Sequence, residues 1–190
     1  MSRLGVFGGS FDPPHRAHRT VAEAALKQLG LDAVVWIPAR RPPHKPSRDL
    51  APAEHRVEMV KLAILGEPRF RVDTRELHRE GPSYTVDTLE SLHIEDPDAE
   101  LFLIVGADNL EGFSSWRNPE RIRELARLVV YRRPGCVVEP IPDMVELSGV
   151  EWDDSSTEAR HRIRTGAPWD EILDPLVGSY IRTHGLYLPA

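Results

Sequence analysis

The chain has 190 residues, of which 41% are apolar, enough to bury the core of one ordinary globular domain. Its 30 acidic residues outnumber the 24 lysines and arginines, and the net charge of −6 argues against nucleic acid as a partner. The single cysteine, Cys136, excludes an intrachain disulfide and favours a reducing, cytoplasmic location. No apolar run reaches the roughly 20 residues of a membrane-spanning helix, so we expect no membrane partner.

Short apolar runs, several of them bounded by glycine or proline, predict the strands of a sheet. They cover residues 4–7, 33–37, 70–72, 101–105 and 128–131, with a last strand within 145–150. Segments with apolar residues at helical spacing predict the helices. These cover 18–30, 52–65, a helix led by 83–89, 119–126, 155–164 and 175–184.

Strands that alternate with helices predict an α/β fold. We expect a Rossmann-like, doubly wound parallel sheet in a single domain, residues 1–190, with a C-terminal helical segment from about 155. In such sheets, ligands bind beyond the carboxyl ends of the strands. Polar clusters follow predicted strands at 8–18, 38–46, 106–109 and 132–135. The candidate site is therefore predicted at this edge of the sheet.

The segment from Gly8 to His18 has the features of a phosphate-binding loop. Gly8 and Gly9 follow the first strand, and glycine lets backbone N–H groups approach an anion closely. His15 and His18 lie at the start of a helix, whose N-terminal partial charge favours anions. Zinc ligands and surface histidines are the alternatives, although no third metal ligand lies at suitable local spacing. We interpret both histidines as donors to phosphate oxygens.

A second phosphate-binding segment is predicted between Ser155 and Arg160. Ser155 and Glu158 fit a capping box, which is a purely structural role. Ser156 and Thr157 would add hydroxyl and N–H donors at a helix N terminus, and Arg160 a guanidinium, all of which suit phosphate. The two roles are compatible, because Ser155 can cap the helix while the other three residues contact a ligand.

These motifs resemble those of a known family. Residues 8–18 are similar to the Gly-Gly-Thr/Ser-Phe-Asp-Pro-x-His-x-Gly-His signature of the nucleotidylyltransferase superfamily. More narrowly, the whole chain resembles the bacterial nicotinate mononucleotide adenylyltransferases. The further motifs that carry this resemblance are Pro42-Pro43-His44-Lys45, Pro82-Ser83-Tyr84-Thr85, Gly106-Ala107-Asp108-Asn109, Trp116, Arg133-Pro134-Gly135, Ser155 to Arg160, and Tyr180 to Tyr187.

The resemblance implies an enzyme of NAD biosynthesis with ATP and nicotinate mononucleotide as substrates. The mononucleotide phosphate would attack the α-phosphorus of ATP, giving deamido-NAD and pyrophosphate without a protein nucleophile. Mg²⁺ would arrive with ATP, held by phosphate oxygens and water rather than by a protein ligand set. Two alternatives stay open, a related enzyme that uses nicotinamide mononucleotide and a non-catalytic nucleotide-binding module. A homo-oligomer also stays open.

The resemblance also implies roles for individual residues. The catalytic residues would be His15, His18, Lys45 and Arg160. The ATP-binding residues would be Gly8, Gly9, Ser10, Phe11, His15, His18, Gly106, Asp108, Ser155, Ser156, Thr157 and Arg160. The mononucleotide-binding residues would be Lys45, Tyr84, Thr85, Trp116 and Arg133. Within this last set, backbone N–H groups of Tyr84 and Thr85 would bind the nicotinate carboxylate, and Trp116 would stack on the pyridine ring.

Three features depart from the family pattern, and one of them, Ala159 in place of a larger aliphatic residue, affects helix packing rather than chemistry. Ala17 stands where the signature has glycine, and its methyl adds bulk where adenine is expected. Asp153 and Asp154 precede the second phosphate segment, where acidic side chains would repel phosphate unless they turn away. We therefore expect any change in ligand fit to arise at these positions.

Overall fold

Six strands form one parallel sheet in the computed structural model, which describes residues 1–43, 50–110, 112–132, 141–149 and 154–189. The strands are β1 (Arg3–Gly9), β2 (Ala33–Pro38), β3 (Phe70–Val72), β4 (Glu100–Gly106), β5 (Ala126–Tyr131) and β6 (Val145–Glu146). Their order is β3-β2-β1-β4-β5-β6, and every neighbouring pair is parallel. This order, with the chain wound outward from β1 in both directions, confirms the predicted doubly wound α/β class.

Helices connect the strands close to the predicted positions. They are α1 (Arg16–Leu29), α2 (Ala53–Ala63), α3 (Arg75–His78), α4 (Thr85–Glu95), α5 (Ala107–Leu110), α6 (Pro119–Leu125), α7 (Ser156–Thr165) and α8 (Pro175–His184). A 3-10 turn covers Phe113–Ser115. Periodicity missed α3 and α5 because four residues make little more than one turn. None of the helices in the described ranges is long and apolar enough to cross a membrane.

The two ends of α1 show how local sequence sets a helix boundary. The helix begins at Arg16, two residues before its predicted start, because His15 keeps an extended backbone as N-cap residue. It ends as predicted at Gly30, whose φ of 60° and ψ of 43° are left-handed. Strand β6, by contrast, is shorter than predicted: it ends at Glu146, and Gly149 soon after it has a left-handed backbone. Residue 150 lies outside the described part of the chain.

Helices cover both faces of the sheet, since alternate residues of one strand enter different cores. Phe7 and Trp36 belong to the core under α1 and α2, whereas the neighbouring Val6 and Val35 belong to the core under α4 and α6. The central strands are therefore apolar on both sides, as a parallel sheet requires.

A third core joins the C-terminal helices to α2. Its buried members include Met59 of α2, Ala159 and Ile163 of α7, and Val177 and Ile181 of α8. This packing places the C-terminal helical segment against the body of the protein and brings the N terminus of α7 to the loop that follows β1. The third core thus positions the second predicted phosphate segment beside the first.

Candidate active site

The loop after β1 is shaped by the packing of Phe11. The Phe11 ring is 1% exposed, and a Cβ atom at Gly9 would lie 3.0 Å from it, so only glycine fits there without displacement. A Cβ at Gly8 would meet nothing within 4 Å, which leaves space for a ligand above that backbone. The Phe11 ring is therefore enclosed in the core and supports the loop from below, so the predicted contact of Phe11 with ATP would have to be made by its backbone.

His15 and His18 lie together, as the sequence predicted. Their ring centroids are 3.7 Å apart, and the His15 backbone N–H donates to His18 Nδ1 over 3.1 Å. Because a backbone N–H can only donate, His18 Nδ1 must be unprotonated, and the neutral ring then carries its proton on Nε2. His15 is 4% exposed, whereas His18 is half-buried. His18 Nε2 is thus prepared to donate to an anion.

The N terminus of α7 is tied to the same loop by two hydrogen bonds. The Ser156 hydroxyl donates to the Pro13 carbonyl over 2.9 Å, and Arg160 Nη1 donates to the Asp12 carbonyl over 2.6 Å. The structural reading of Ser155 is confirmed, since its hydroxyl accepts from the Glu158 N–H at 3.1 Å. Two helix N termini, those of α1 and α7, therefore lie side by side.

The donors that α7 offers to an anion differ from those predicted. The Ser156 hydroxyl donates its single proton to the Pro13 carbonyl, so it cannot donate to phosphate at the same time. The Ser156 and Thr157 backbone N–H groups lie in the first turn of α7 and have no acceptor within the helix. Arg160 Nη2 contacts Thr157 Oγ1 at 3.3 Å, which keeps the guanidinium at this helix end. Backbone amides and Arg160 are therefore the main donors of this segment.

Asp12 is a buried hub that sequence reasoning missed. Its side chain is fully buried, and Asp12 Oδ1 accepts from the Tyr187 hydroxyl over 2.7 Å and from the Ala51 N–H over 3.1 Å. Its Oδ2 lies 3.5 Å from Arg160 Nη1. Burial, and then the neighbouring Asp12 carboxylate, raise the pKa of Tyr187, so the phenol keeps its proton and donates it. The C-terminal segment is thereby fastened to the signature loop.

Replacing Tyr187 by phenylalanine is expected to lower the free energy of unfolding by about 1–3 kcal/mol, since a buried carboxylate loses a hydroxyl donor. Chemical denaturation monitored by circular dichroism measures the change. Tyr180→Phe is the matched control, because that hydroxyl contacts the half-buried His55 at 2.9 Å rather than a buried charge. A loss at Tyr187 no larger than that at Tyr180 would contradict the role assigned to Asp12.

Arg56 is a second buried charged residue, and it holds the loops that border the site. Arg56 is 1% exposed, and Arg56 Nη1 donates to the carbonyls of Ser10 at 2.7 Å and Ala39 at 2.8 Å. Arg56 Nε donates to the Ala51 carbonyl at 2.9 Å. Burial lowers the pKa of Arg56, and the Asp12 carboxylate opposes that shift. One guanidinium therefore joins the loops after β1 and β2 at the carboxyl edge of the sheet.

A cavity of about 430 Å³ opens beyond the carboxyl ends of β1 and β4. Its lining includes predicted residues from both substrate sets, namely Gly8, Gly9, Ser10, Tyr84, Thr85, Gly106 and Trp116. Arg117 stacks over the Tyr84 ring at 4.7 Å, and Trp116 packs against Phe113 with centroids 5.4 Å apart. The structure thus brings together residues that are more than 100 positions apart in the sequence.

The backbone at Tyr84 and Thr85 differs in one respect from the prediction. The Tyr84 N–H donates to the Pro82 carbonyl over 3.0 Å, so it is already engaged. Thr85 is the first residue of α4, where the N–H has no acceptor within the helix. Of the two amides predicted to bind a carboxylate, that of Thr85 has the suitable placement.

The remaining predicted residues have varied positions. Asp108 is exposed and folds back over Gly106, where an added Cβ would come within 2.5 Å of Asp108 Oδ1. Ala17 is 6% exposed, so its methyl is mostly covered. Asp154 is half-buried. The predictions for Lys45, Arg133 and Asp153 lie outside the described residues.

A second cavity, of about 580 Å³, lies at the opposite edge of the sheet near the amino ends of β4 and β5. Its charged lining is largely paired: Arg121 contacts Glu124 at 2.8 Å, and Arg127 donates to the Asp143 carbonyl at 3.3 Å. Ligands of doubly wound folds bind at the carboxyl edge, so the smaller cavity is the candidate active site.

Comparison with known proteins gives a consistent assignment. Residues 6–162 match the family model described as cytidylyltransferase-like. The chain is 46% identical to the probable nicotinate-nucleotide adenylyltransferase of Thermus thermophilus, over 97% of this chain and 99% of that one. It is 43% identical to the probable nicotinate-nucleotide adenylyltransferase of Salinibacter ruber, over 98% of each chain. Nicotinic acid mononucleotide adenylyltransferase of Plasmodium falciparum complexed with NaAD has the same fold, with a TM-score of 0.84 at 19% identity and 98% of each chain covered.

The resemblance inferred from separate motifs is therefore confirmed over nearly the full length of the chain. Its relatives match well beyond the signature loop, through the C-terminal helices that hold Asp12 and the N terminus of α7 in place. The chain belongs to the nicotinate-nucleotide adenylyltransferases, within the cytidylyltransferase-like family.

Proposed function

We propose that this protein transfers the adenylyl group of ATP to nicotinate mononucleotide, forming deamido-NAD and releasing pyrophosphate, a step of NAD biosynthesis. The observation that carries the proposal is the joining of two helix N termini, through Ser156 and Arg160, beside a cavity lined by Thr85 and Trp116. The names of the close relatives support the same substrates.

The chemistry requires positioning and charge stabilisation rather than a protein nucleophile. A phosphate oxygen of the mononucleotide attacks the α-phosphorus of ATP, the bond from that phosphorus to the bridging oxygen breaks, and pyrophosphate leaves in line. Negative charge on the triphosphate then needs fixed donors, which do not have to reorganise during the reaction. We assign this role to His18 Nε2, the α7 backbone amides and Arg160, with His15 supporting His18 and Lys45 acting on the reacting phosphates.

Binding of the mononucleotide is assigned to the other end of the cavity. A carboxylate at the Thr85 N–H accepts a charge-assisted hydrogen bond, whereas the amide of nicotinamide mononucleotide lacks that charge. The half-buried Trp116 offers a ring face on which the pyridine can stack, and Arg133 belongs to the same predicted binding set. This arrangement favours the acid over the amide substrate.

Mg²⁺ is expected to enter with ATP, held mainly by phosphate oxygens and water. Within the described ranges, no group of three or more histidine, cysteine, aspartate or glutamate side chains is arranged to hold a metal ion. Asp12 is also unsuitable as a ligand because it is fully buried beneath Tyr187. An ion delivered by the triphosphate would neutralise phosphate charge there.

The test is pyrophosphate release by the purified protein from ATP with Mg²⁺, supplied with nicotinate or nicotinamide mononucleotide in parallel. We expect release with nicotinate mononucleotide, and chromatography should identify deamido-NAD as the product. Faster turnover with nicotinamide mononucleotide would reverse the substrate assignment. Measurable ATP binding without release from either substrate would instead identify a nucleotide-binding module.

Replacing Trp116 by alanine is expected to raise the KM for nicotinate mononucleotide about tenfold or more, because stacking on an aromatic ring contributes roughly 1–3 kcal/mol per base. The KM for ATP should change much less. Trp116→Phe retains a ring face and should recover most of the affinity. An unchanged mononucleotide KM in the alanine variant would rule out stacking on this residue.

A further inference from the structure

Glu76 is a buried carboxylate in the wall of the candidate active-site cavity. It lies in α3, just after β3, is 6% exposed, and lines the same cavity as Tyr84 and Thr85. The motifs described above assign no role to it. An acidic side chain is rarely buried without partners, so its position calls for a specific function.

The Thr88 hydroxyl donates to Glu76, and the Ser83 hydroxyl lies close enough to influence the same carboxylate. The Thr88 hydroxyl donates to Glu76 Oε1 over 2.6 Å, while Thr88 Oγ1 accepts from Arg79 Nη1 at 2.9 Å. Ser83 Oγ accepts the backbone N–H groups of Arg40 at 3.1 Å and Arg41 at 3.3 Å.

Since each hydroxyl already accepts an N–H group, its own proton is available to an acceptor. For Thr88 the Glu76 carboxylate, at 2.6 Å, is the shorter of two contacts, the other being the Tyr84 carbonyl at 3.4 Å. Burial raises the pKa of Glu76, and the hydrogen bonds from Thr88 and Ser83 oppose that shift. A carboxylate suits this place because it accepts hydrogen bonds and has none to donate.

The contacts of Glu76 connect the two loops that form the rim of the cavity. Thr88 links Glu76 to the first turns of α4, and the nearby Ser83 is bonded to the loop after β2. A backbone hydrogen bond from the Ser83 N–H to the Arg41 carbonyl, at 2.9 Å, reinforces the connection. The N terminus of α4 presents the Thr85 N–H, so any shift of these loops moves that amide.

We propose that Glu76 is a positioning residue for the mononucleotide: by holding Ser83 and Thr88, it fixes the Thr85 N–H that receives the substrate carboxylate. This inference rests on the proposed function. It places the action of Glu76 at the mononucleotide end of the cavity, whereas His18 and the α7 donors, which are assigned to the triphosphate of ATP, belong to the starts of α1 and α7. The expected signature is therefore a selective loss of mononucleotide affinity.

Glu76→Gln tests the proposal because it keeps the shape of the side chain and replaces one acceptor oxygen with an NH₂ group. That group would face a hydroxyl already receiving N–H donors, so one of the two contacts should be lost. We expect the KM for nicotinate mononucleotide to rise about tenfold and the KM for ATP to change by less than about twofold. Glu80→Gln is the matched control, since Glu80 is exposed and the change of charge is the same.

Thr88→Val, which removes the hydroxyl donor at constant size, should raise the mononucleotide KM in the same direction. In the double variant Glu76→Gln with Thr88→Val, the rise in mononucleotide KM should be smaller than the two single effects combined, because both changes act on the same Glu76–Thr88 contact. Calorimetric titration with nicotinate mononucleotide supplies a Kd that does not depend on turnover, so the positioning role is tested even in a protein without catalysis.

Three results would overturn the proposal. One is an unchanged mononucleotide KM and Kd in Glu76→Gln, and another is an equal rise in the KM for ATP. The third is a wild-type protein that does not bind nicotinate mononucleotide at all. A wild-type protein that binds the mononucleotide but releases no pyrophosphate would reject the proposed reaction alone, and the Kd of the variants would then decide the role of Glu76.

Discussion

Replacing His18 by alanine is expected to lower kcat about 10²–10³-fold, the usual cost of removing one fixed donor to developing charge. The reason lies in the ring contacts of His18. Its Nδ1 accepts the His15 N–H at 3.1 Å, so the proton of the neutral ring is on Nε2, the atom that can donate to phosphate. Initial-rate kinetics with both substrates measures the effect, and circular dichroism checks that the fold is retained.

His18 also completes the first turn of α1, so two further variants separate this structural contact from catalysis. Asparagine can accept the His15 N–H with its side-chain oxygen but has no donor where Nε2 lies. Glutamine is longer and can place an amide donor near the Nε2 position. We expect His18→Asn to lose kcat nearly as fully as His18→Ala, and His18→Gln to recover part of it.

His93→Ala serves as the control, because His93 lies in α4 and lines the cavity at the opposite edge of the sheet. Its kcat should match that of the wild type. The role of His18 as a donor would be refuted by near-normal turnover in His18→Asn. Equal activity of the asparagine and glutamine variants would place the effect in the helix contact rather than at Nε2.

The sheet and the edge that carries the site could be predicted from local sequence because the determinants are local. Val105 and Val130 belong to uninterrupted apolar runs, and such runs are typical of strands buried on both faces. Gly30 ends its helix because it adopts a left-handed backbone, and the sequence marks that position directly. Parallel strands then bring the polar loops to one edge without further information.

The hydrogen bonds that fix those loops could not be predicted because they join distant parts of the chain. Asp12 and Tyr187 are 175 positions apart, and Pro13 and Ser156 are 143 positions apart. Nor does composition reveal that Phe11, within a polar motif, turns its ring into the core. Spacing can place a residue on a loop, but three-dimensional packing decides whether its side chain supports the loop or faces the ligand.

Arg56 did leave a signal in the sequence. Residues 56, 59, 60 and 63 follow the spacing of one helix face, and all four are buried in α2. A charged residue on an otherwise apolar helix face indicates that the fold supplies buried hydrogen-bond acceptors for it. The acceptors are the backbone carbonyls of Ser10, Ala39 and Ala51, so Arg56 links the core of the fold to the geometry of the site.

Replacing Arg56 by methionine is therefore expected to lower the free energy of unfolding by about 3–5 kcal/mol, the range for removing one partner of a buried charge pair. Methionine retains the length of the side chain, so the loss reflects three carbonyls without the Arg56 donor and the Asp12 carboxylate with Arg160 as its remaining cationic neighbour. Arg56→Lys keeps the charge but cannot reproduce the planar guanidinium, so its free energy of unfolding should lie between those of the wild type and Arg56→Met. Equilibrium denaturation in urea gives the three values.

Lys61→Met is the matched control on the same helix, since the Lys61 side chain is 54% exposed and pairs with the exposed Glu58. Exposed ion pairs contribute little, so this variant should unfold close to the wild type. If Arg56→Met were no less stable than Lys61→Met, the loops after β1 and β2 would have to be held by other contacts. If the loss is as large as expected, ATP binding in Arg56→Met should also weaken under folding conditions, because Ser10 belongs to the cavity wall and to the loop that Arg56 holds.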